Sequence, residues 1–169
     1  MRTLPDIVKP RMKVLFVGTN PGRRSALIGH YFAGRSNMFW KLLHEAKLTD
    51  ERLTTHLDYK VQRFGYGLTD VVKRPTRSTT ELRKSDGKGA RQRLDDVIKK
   101  NKPKVVAFIG KTGFRYYLGD GNTPLNYGLQ KQKISISSVF LLPSTSGASF
   151  ADTNYKQKLF WYKSLNQRF

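Results

Sequence analysis

"ARQRLDDVIKKNKPKVVAFIGKTGFRYYLG", from Ala90 to Gly119, is the stretch on which the fold turns. Its first part places Leu94, Val97 and Ile98 on one helical face and stops before Pro103. "KVVAFIG" at 104–110 is an apolar, β-branched run too short for a helix. It predicts a strand buried on both faces. Gly110 then opens a second short helix, which Gly119 closes.

The same alternation extends in both directions. Upstream, "KVLFVG" at 13–18 predicts another buried strand and "YGLTDVV" at 66–72 a third. Between them the chain reads as a loop carrying Arg23, Arg24 and the His30-Tyr31-Phe32 cluster. From Ser36 the spacing becomes helical: Phe39, Leu42, Leu43 and Ala46 share a face, and Ser36 or Asn37 can cap. "TDERLTTHL" at 49–57 predicts a short helix, and "RKSDGKG" at 83–89 a charged loop. Downstream, "KISISSVFLLP" at 133–143 holds one strand, or two joined by a turn. "ADTNYKQKLFWYKSLNQ" at 151–167 predicts a last amphipathic helix with Leu159, Trp161, Tyr162 and Leu165 turned inward. Strands alternating with helices imply an α/β fold with a mainly parallel sheet covered on both faces. The length suits one domain spanning 1–169, with no repeat or linker to divide it. In such folds ligands gather beyond the carboxyl ends of the strands. The loops "GTNPG" (18–22), "GLTDVVKRPT" (67–76) and "LPSTSGASF" (142–150) are therefore expected to converge.

Composition narrows the partner. Lys and Arg number 32 against 12 Asp and Glu, a net charge of +20 spread along the whole chain. That excess points to a polyanion, and nucleic acid fits best. No cysteine is present, which excludes disulfides, zinc ribbons and cysteine-held iron–sulfur clusters. His30, His44 and His56 show no metal-ligand spacing, so no metal and no cofactor is expected. The N-terminal stretch lacks the apolar core of a signal peptide, and no apolar run is long enough to span a bilayer. Two glycine-rich stretches fail as phosphate loops. "GKT" at 110–112 has Val105 where the P-loop needs its first glycine, and "GTNPGRRS" has no lysine.

Three motifs in order then resemble one family. "VGTNPGRRSA…GHYFAGRSNMFWKLL", "GLTDVVKRPT" and "LPSTSGAS" are similar to the mismatch-specific uracil-DNA glycosylases and thymine-DNA glycosylases, from about Arg11 to Phe160. The resemblance implies a three-layer α/β/α fold and hydrolysis of an N-glycosidic bond in double-stranded DNA carrying G·U or related mismatches. The target base would be extruded into a pocket. It also implies a monomer working inside the cell, with the DNA, in the cytoplasm, nucleoid or nucleus.

By the same resemblance Asn20 orients the attacking water. Phe32 stacks on the extruded base, because a flat ring suits a flat base. Thr19, Pro21, Gly22 and Ser144 complete the base pocket, and backbone amides from Thr19 to Gly22 face the leaving pyrimidine. Arg23 and Arg24 hold phosphates. Ser146, Gly147, Ala148 and Ser149 form the loop that enters the duplex, with Ala148 as a small wedge and Phe150 as an alternative intercalating ring.

The chain departs from the common pattern twice. Asp70 stands where better-known members have an amide or a lysine, and could act as a general base or hold the cationic sugar. A structural role as a cap, or as partner of Lys73 or Arg74, is the alternative. The other departure is Ser144-Thr145-Ser146-Gly147 in place of Asn-Pro-Ser-Gly. No lysine lies in a recognisable nucleophile motif, so simple hydrolysis leaving an abasic site is expected. A non-catalytic DNA-binding module with the same basic face is the competing reading. A glycosidase of free nucleosides or sugars, which would need two carboxylates, gains nothing from a charge of +20.

Overall fold

The computed structural model describes residues 3–149 and 152–169. Five strands form one sheet: β1 (Val14–Gly18), β2 (Tyr66–Asp70), β3 (Val105–Ile109), β4 (Gly128–Ile134) and β5 (Ser137–Leu142), in the order β2-β1-β3-β5-β4. The pairs β1–β2, β1–β3 and β3–β5 are parallel, and β4–β5 is antiparallel. Every residue of β1, β2 and β3 is buried, which explains the unbroken apolar reading of β1 and β3; β2 ends on the buried polar pair Thr69 and Asp70.

Successive side chains point to opposite faces and feed two cores. Val14, Phe16, Ala107 and Phe140 join one, with Phe39, Leu42 and Leu43 of α2 (Phe39–Glu45) and Tyr162 and Leu165 of α5 (Tyr155–Leu165). Leu15, Val17, Val106, Phe108 and Leu141 join the other. It takes Leu94 and Ile98 from α3 (Ala90–Asn101) and Phe114 and Tyr117 from α4 (Lys111–Leu118). The layers are helix, sheet, helix, as expected. Among the described residues no helix is long and apolar enough to cross a membrane.

Three local expectations are corrected. Arg23 and Arg24 are not in a loop: they open a six-residue helix, α1 (Arg23–Ile28), that ends at Gly29 in the left-handed region (φ 77°). This helix buries only Ser25 and Ala26, too small a face to show as periodicity. The helix expected at 49–57 lies later, as 3-10 turns over Thr55–Phe64 with a kink at Leu57. Buried Asp58 within it binds the aromatic loop, so a long-range contact decides its place. The stretch at 133–143 contains two strands joined by a turn in which Ser135 has φ 55°, but the first begins back at Gly128. β4 is an edge strand whose exposed Lys131 and Lys133 hide its apolar signal while guarding the open edge. The N-cap of α2 is Met38 rather than Ser36 or Asn37, though Asn37, one residue before it, accepts from the Phe39 amide through Oδ1 at 3.0 Å.

Candidate active site

A cleft of about 580 Å³ opens where the parallel strands end. The loops after β1, β2 and β5 meet there as expected. The turn from β3 into α4 joins them with Gly110, Lys111 and Thr112. Thr19, Asn20, Pro21, Gly22, Phe32, Asp70 and Ser144 line this cleft together with Ser146, Gly147, Ala148 and Ser149. Arg23 and Arg24 do not: they stand exposed on α1, just beyond the lining residue Gly22. Phe150 lies outside the described residues.

Asp70 ends β2 directly beside Gly18, its register partner at the end of β1. A side chain at Gly18 would collide with the carboxylate, since a Cβ there would lie 2.4 Å from Asp70 Oδ1. Glycine at 18 is what gives the carboxylate its room. Asp70 is only 3 % exposed, and among the described residues its buried Oδ2 has no hydrogen-bond partner. Burial pushes the carboxyl up to about 7; Lys73 lowers it, Asp6 raises it and Arg93 lowers it.

Neither cation turns to the carboxylate. Lys73 Nζ sits 2.5 Å from Asp6 Oδ1 and donates to the Leu4 carbonyl. Arg93 reaches Asp6 at 3.4 Å and donates to the backbone carbonyl of Asp70. Arg74 forms a two-pronged pair with Asp86, at 2.7 Å on each arm. The structure therefore does not support the reading of Asp70 as an ion-pair partner of Lys73 or Arg74.

Asn20 is tied down by its nitrogen. Nδ2 donates to the Arg74 carbonyl at 2.9 Å and to Thr76 Oγ1 at 2.8 Å. Those bonds hold the loop after β2 against the loop after β1. They leave Oδ1 as the side-chain atom with no described donor. Gly22 contrasts with Gly18. Its φ is an ordinary −68°, and a Cβ on it would meet nothing within 4 Å. The protein's own packing does not require glycine there; close approach by a ligand would.

Phe32 is half-buried and adopts φ 54°, an uncommon value for a residue with a side chain. The surrounding bonds enforce it. Tyr31 donates from its amide to Asp58 Oδ2 at 2.9 Å and from its hydroxyl to the Pro5 carbonyl. The Thr55 hydroxyl donates to the Tyr31 carbonyl, and the Ala33 amide donates to Ser25 Oγ. One face of the Phe32 ring stacks on Phe39, with centroids 3.9 Å apart and planes 23° apart. The ring also lines the cleft, near Gly18 and Asp70.

A model of the Uracil DNA glycosylase superfamily matches residues 5–166, nearly the entire chain. The chain belongs to the uracil DNA glycosylase superfamily. Its members cleave N-glycosidic bonds of bases in DNA, as hydrolases of base-excision repair. The solution NMR structure of a candidate uracil DNA glycosylase from Methanosarcina acetivorans is similar in fold, with a TM-score of 0.59. The two share 18% sequence identity, and the match covers 98% of each chain.

The motifs named many of the residues that line the cleft; the residues that brace it carry no motif. Asp58, which holds the aromatic loop, sits in a stretch with no motif. Lys158, on α5, lines the cleft and reads in sequence as one more surface lysine. Lys111 and Arg77 add positive charge to the lining. No signal in the sequence distinguishes these from the other basic residues. Among the described residues no group of three or more His, Cys, Asp or Glu side chains could hold a metal ion.

Proposed function

We propose that this chain is a monofunctional, mismatch-specific DNA glycosylase of the branch that includes the thymine-DNA glycosylases. It would act as a monomer on uracil opposite guanine in double-stranded DNA and leave an abasic site. The observation that carries the reading is Asp70: a buried carboxylate with one oxygen unpartnered among the described residues, in a cleft shared with an aromatic ring, in a chain of charge +20.

In this reading the target nucleotide leaves the stack and enters the cleft. Its base lies against Phe32, whose backing by Phe39 holds the ring in place. Backbone amides from Thr19 to Gly22 donate to pyrimidine oxygens as negative charge grows on the leaving base. Pro21 keeps that turn tight, Gly22 lets the backbone approach, and Ser144 offers a hydroxyl to the base edge. A water bound between Asn20 Oδ1 and the Asp70 carboxylate attacks the sugar carbon. Asp70 accepts the water's proton, or its charge stabilises the cationic sugar before the water adds. A pKa near 7 lets a carboxylate take up a proton at neutral pH and release it again. Arg23 and Arg24 hold phosphates beside the lesion. Ser146, Gly147, Ala148 and Ser149 occupy the space that the base vacates.

The deciding experiment is a base-release panel on G·U, A·U, G·T and single-stranded uracil oligonucleotides, developed with hot alkali. Release from G·U duplexes, with strand breaks only after alkali, is the expected result. Tight binding with no release from any substrate would leave a non-catalytic DNA-binding module.

A further inference from the structure

We infer that Lys158 is a positioning residue that clamps both flanks of the segment 144–149 in the loop leaving β5, and so sets the protein's ability to open a duplex. This rests on the proposed role of Ser146–Ser149 in entering the DNA. Lys158 lies one turn into α5 and is 1 % exposed. Its ammonium donates to the Ser144 carbonyl at 2.8 Å, the Ser149 carbonyl at 2.8 Å and Thr153 Oγ1 at 3.0 Å. Ser144 and Ser149 flank the segment 145–148, so one charged group spans it.

A buried ammonium is costly unless its donors are satisfied, which makes this geometry sharply defined. Bonds from a charged donor are also stronger than bonds between neutral groups. The loop's middle is held separately. The Met38 amide donates to the Thr145 carbonyl at 2.9 Å, and Gly147 lies so close to Ser36 that a Cβ would stand 2.4 Å from Ser36 Oγ. With both flanks and the middle of this segment fixed, the exposed residues Ser146 and Ala148 are presented at the mouth of the cleft. A rigid wedge spends no ordering entropy when it enters the base stack. Asn154, the N-cap of α5, and Gln157 within it brace the clamp: they cap the helix reciprocally at 2.9 and 2.8 Å.

The test compares wild type with Lys158→Met, which loses all donors, and Lys158→Gln, which keeps an amide donor; both side chains are one atom shorter than lysine. Each is assayed for uracil release from a G·U duplex and from the same duplex with the uracil in an unpaired bubble. Hydrogen exchange of the 144–149 peptide is followed in parallel. Duplex activity should fall by about 10²-fold, the cost of a small misplacement at a site, while bubble activity changes little. Exchange at 144–149 should quicken while β1 and β3 stay protected, and Lys158→Gln should show the smaller change. If Lys158→Met does not fold, the glutamine variant carries the same comparison. Equal losses on duplex and bubble, or unchanged exchange in the loop, would overturn the inference. Wild type inactive on both substrates would sink the glycosylase reading instead, and the exchange result would still decide whether Lys158 holds the loop.

Discussion

Two buried charges lie in one cleft, and they are treated in opposite ways. Lys158, at the start of α5, spends its donors on three protein oxygens. Asp70, at the end of β2, keeps a buried oxygen with no described partner while the nearby cations pair elsewhere. Protein interiors satisfy polar groups almost everywhere; of the five buried side-chain atoms left without a partner among the described residues, the Asp70 oxygen is the one that belongs to the cleft lining, which marks the place meant for something else. The difference teaches where architecture ends and chemistry begins. Lys158 is consumed in holding a loop, whereas Asp70 is held ready with Gly18 clearing its space.

The sharpest way to break this contrast is Asp70→Asn. Base release should fall by about 10³-fold, roughly 4 kcal/mol at 1.36 kcal/mol per tenfold. Stability should move the other way. A carboxyl raised from 3.8 to about 7 binds more protons folded than unfolded between those values. Wild type therefore loses stability as pH rises through that window, up to about 4 kcal/mol by linkage. The neutral amide escapes that loss, so Asp70→Asn should melt above wild type at pH 8 and close to it at pH 4. If the ionised carboxylate is the working form, wild-type kcat/KM should climb with pH and level off above about 7. The variant should lose that limb. Thermal melts and pH–rate profiles check both halves; a variant that is both active and less stable would make Asp70 structural.

Asn20→Ala should follow, with release reduced by about 10²-fold and duplex binding nearly unchanged. Because Asn20 also ties the loop at 74–76, its melting temperature should fall slightly, which the Asp70 variant would not show. Full activity in the purified variant would remove Asn20 from the chemistry. Phe32→Ala should weaken capture of the extruded base by about 1–3 kcal/mol, while Phe32→Tyr is tolerated. Single-turnover rates per folded molecule separate stacking on the base from the ring's contact with Phe39. The smallest effects belong to Arg23→Ala and Arg24→Ala, outside the cleft. Each should make the slope of log K against log salt shallower by about one, on G·U and G·C duplexes alike. A loss confined to G·U would mean that the residue reads the mismatch.

How much was legible depended on the range of the interaction. The buried parallel strands β1 and β3 announce themselves as continuous apolar runs, because both faces of each are covered. β4 does not, because an edge strand carries lysines for its own reasons. Asn20, Phe32 and Asp70 stand at strand ends or in ordered motifs, where chain position already suggests a ligand. The arginines were expected in a loop and lie on a helix, since one turn with two small buried residues leaves no periodic trace.

What the sequence by itself determined is the alternation of strand and helix, the positive charge, the lack of cysteine and the order of the motifs. These are properties of neighbours along the chain. Only the tertiary structure decided that Asp70 is without an ion pair among the described residues, that Gly18 makes its space, that Asp58 braces the aromatic loop and that Lys158 ties down the loop after β5. Each of these joins residues far apart in sequence. The energy of a buried charge depends on what surrounds it in space, and a chain read from end to end does not say which of its 32 basic residues will be folded inside.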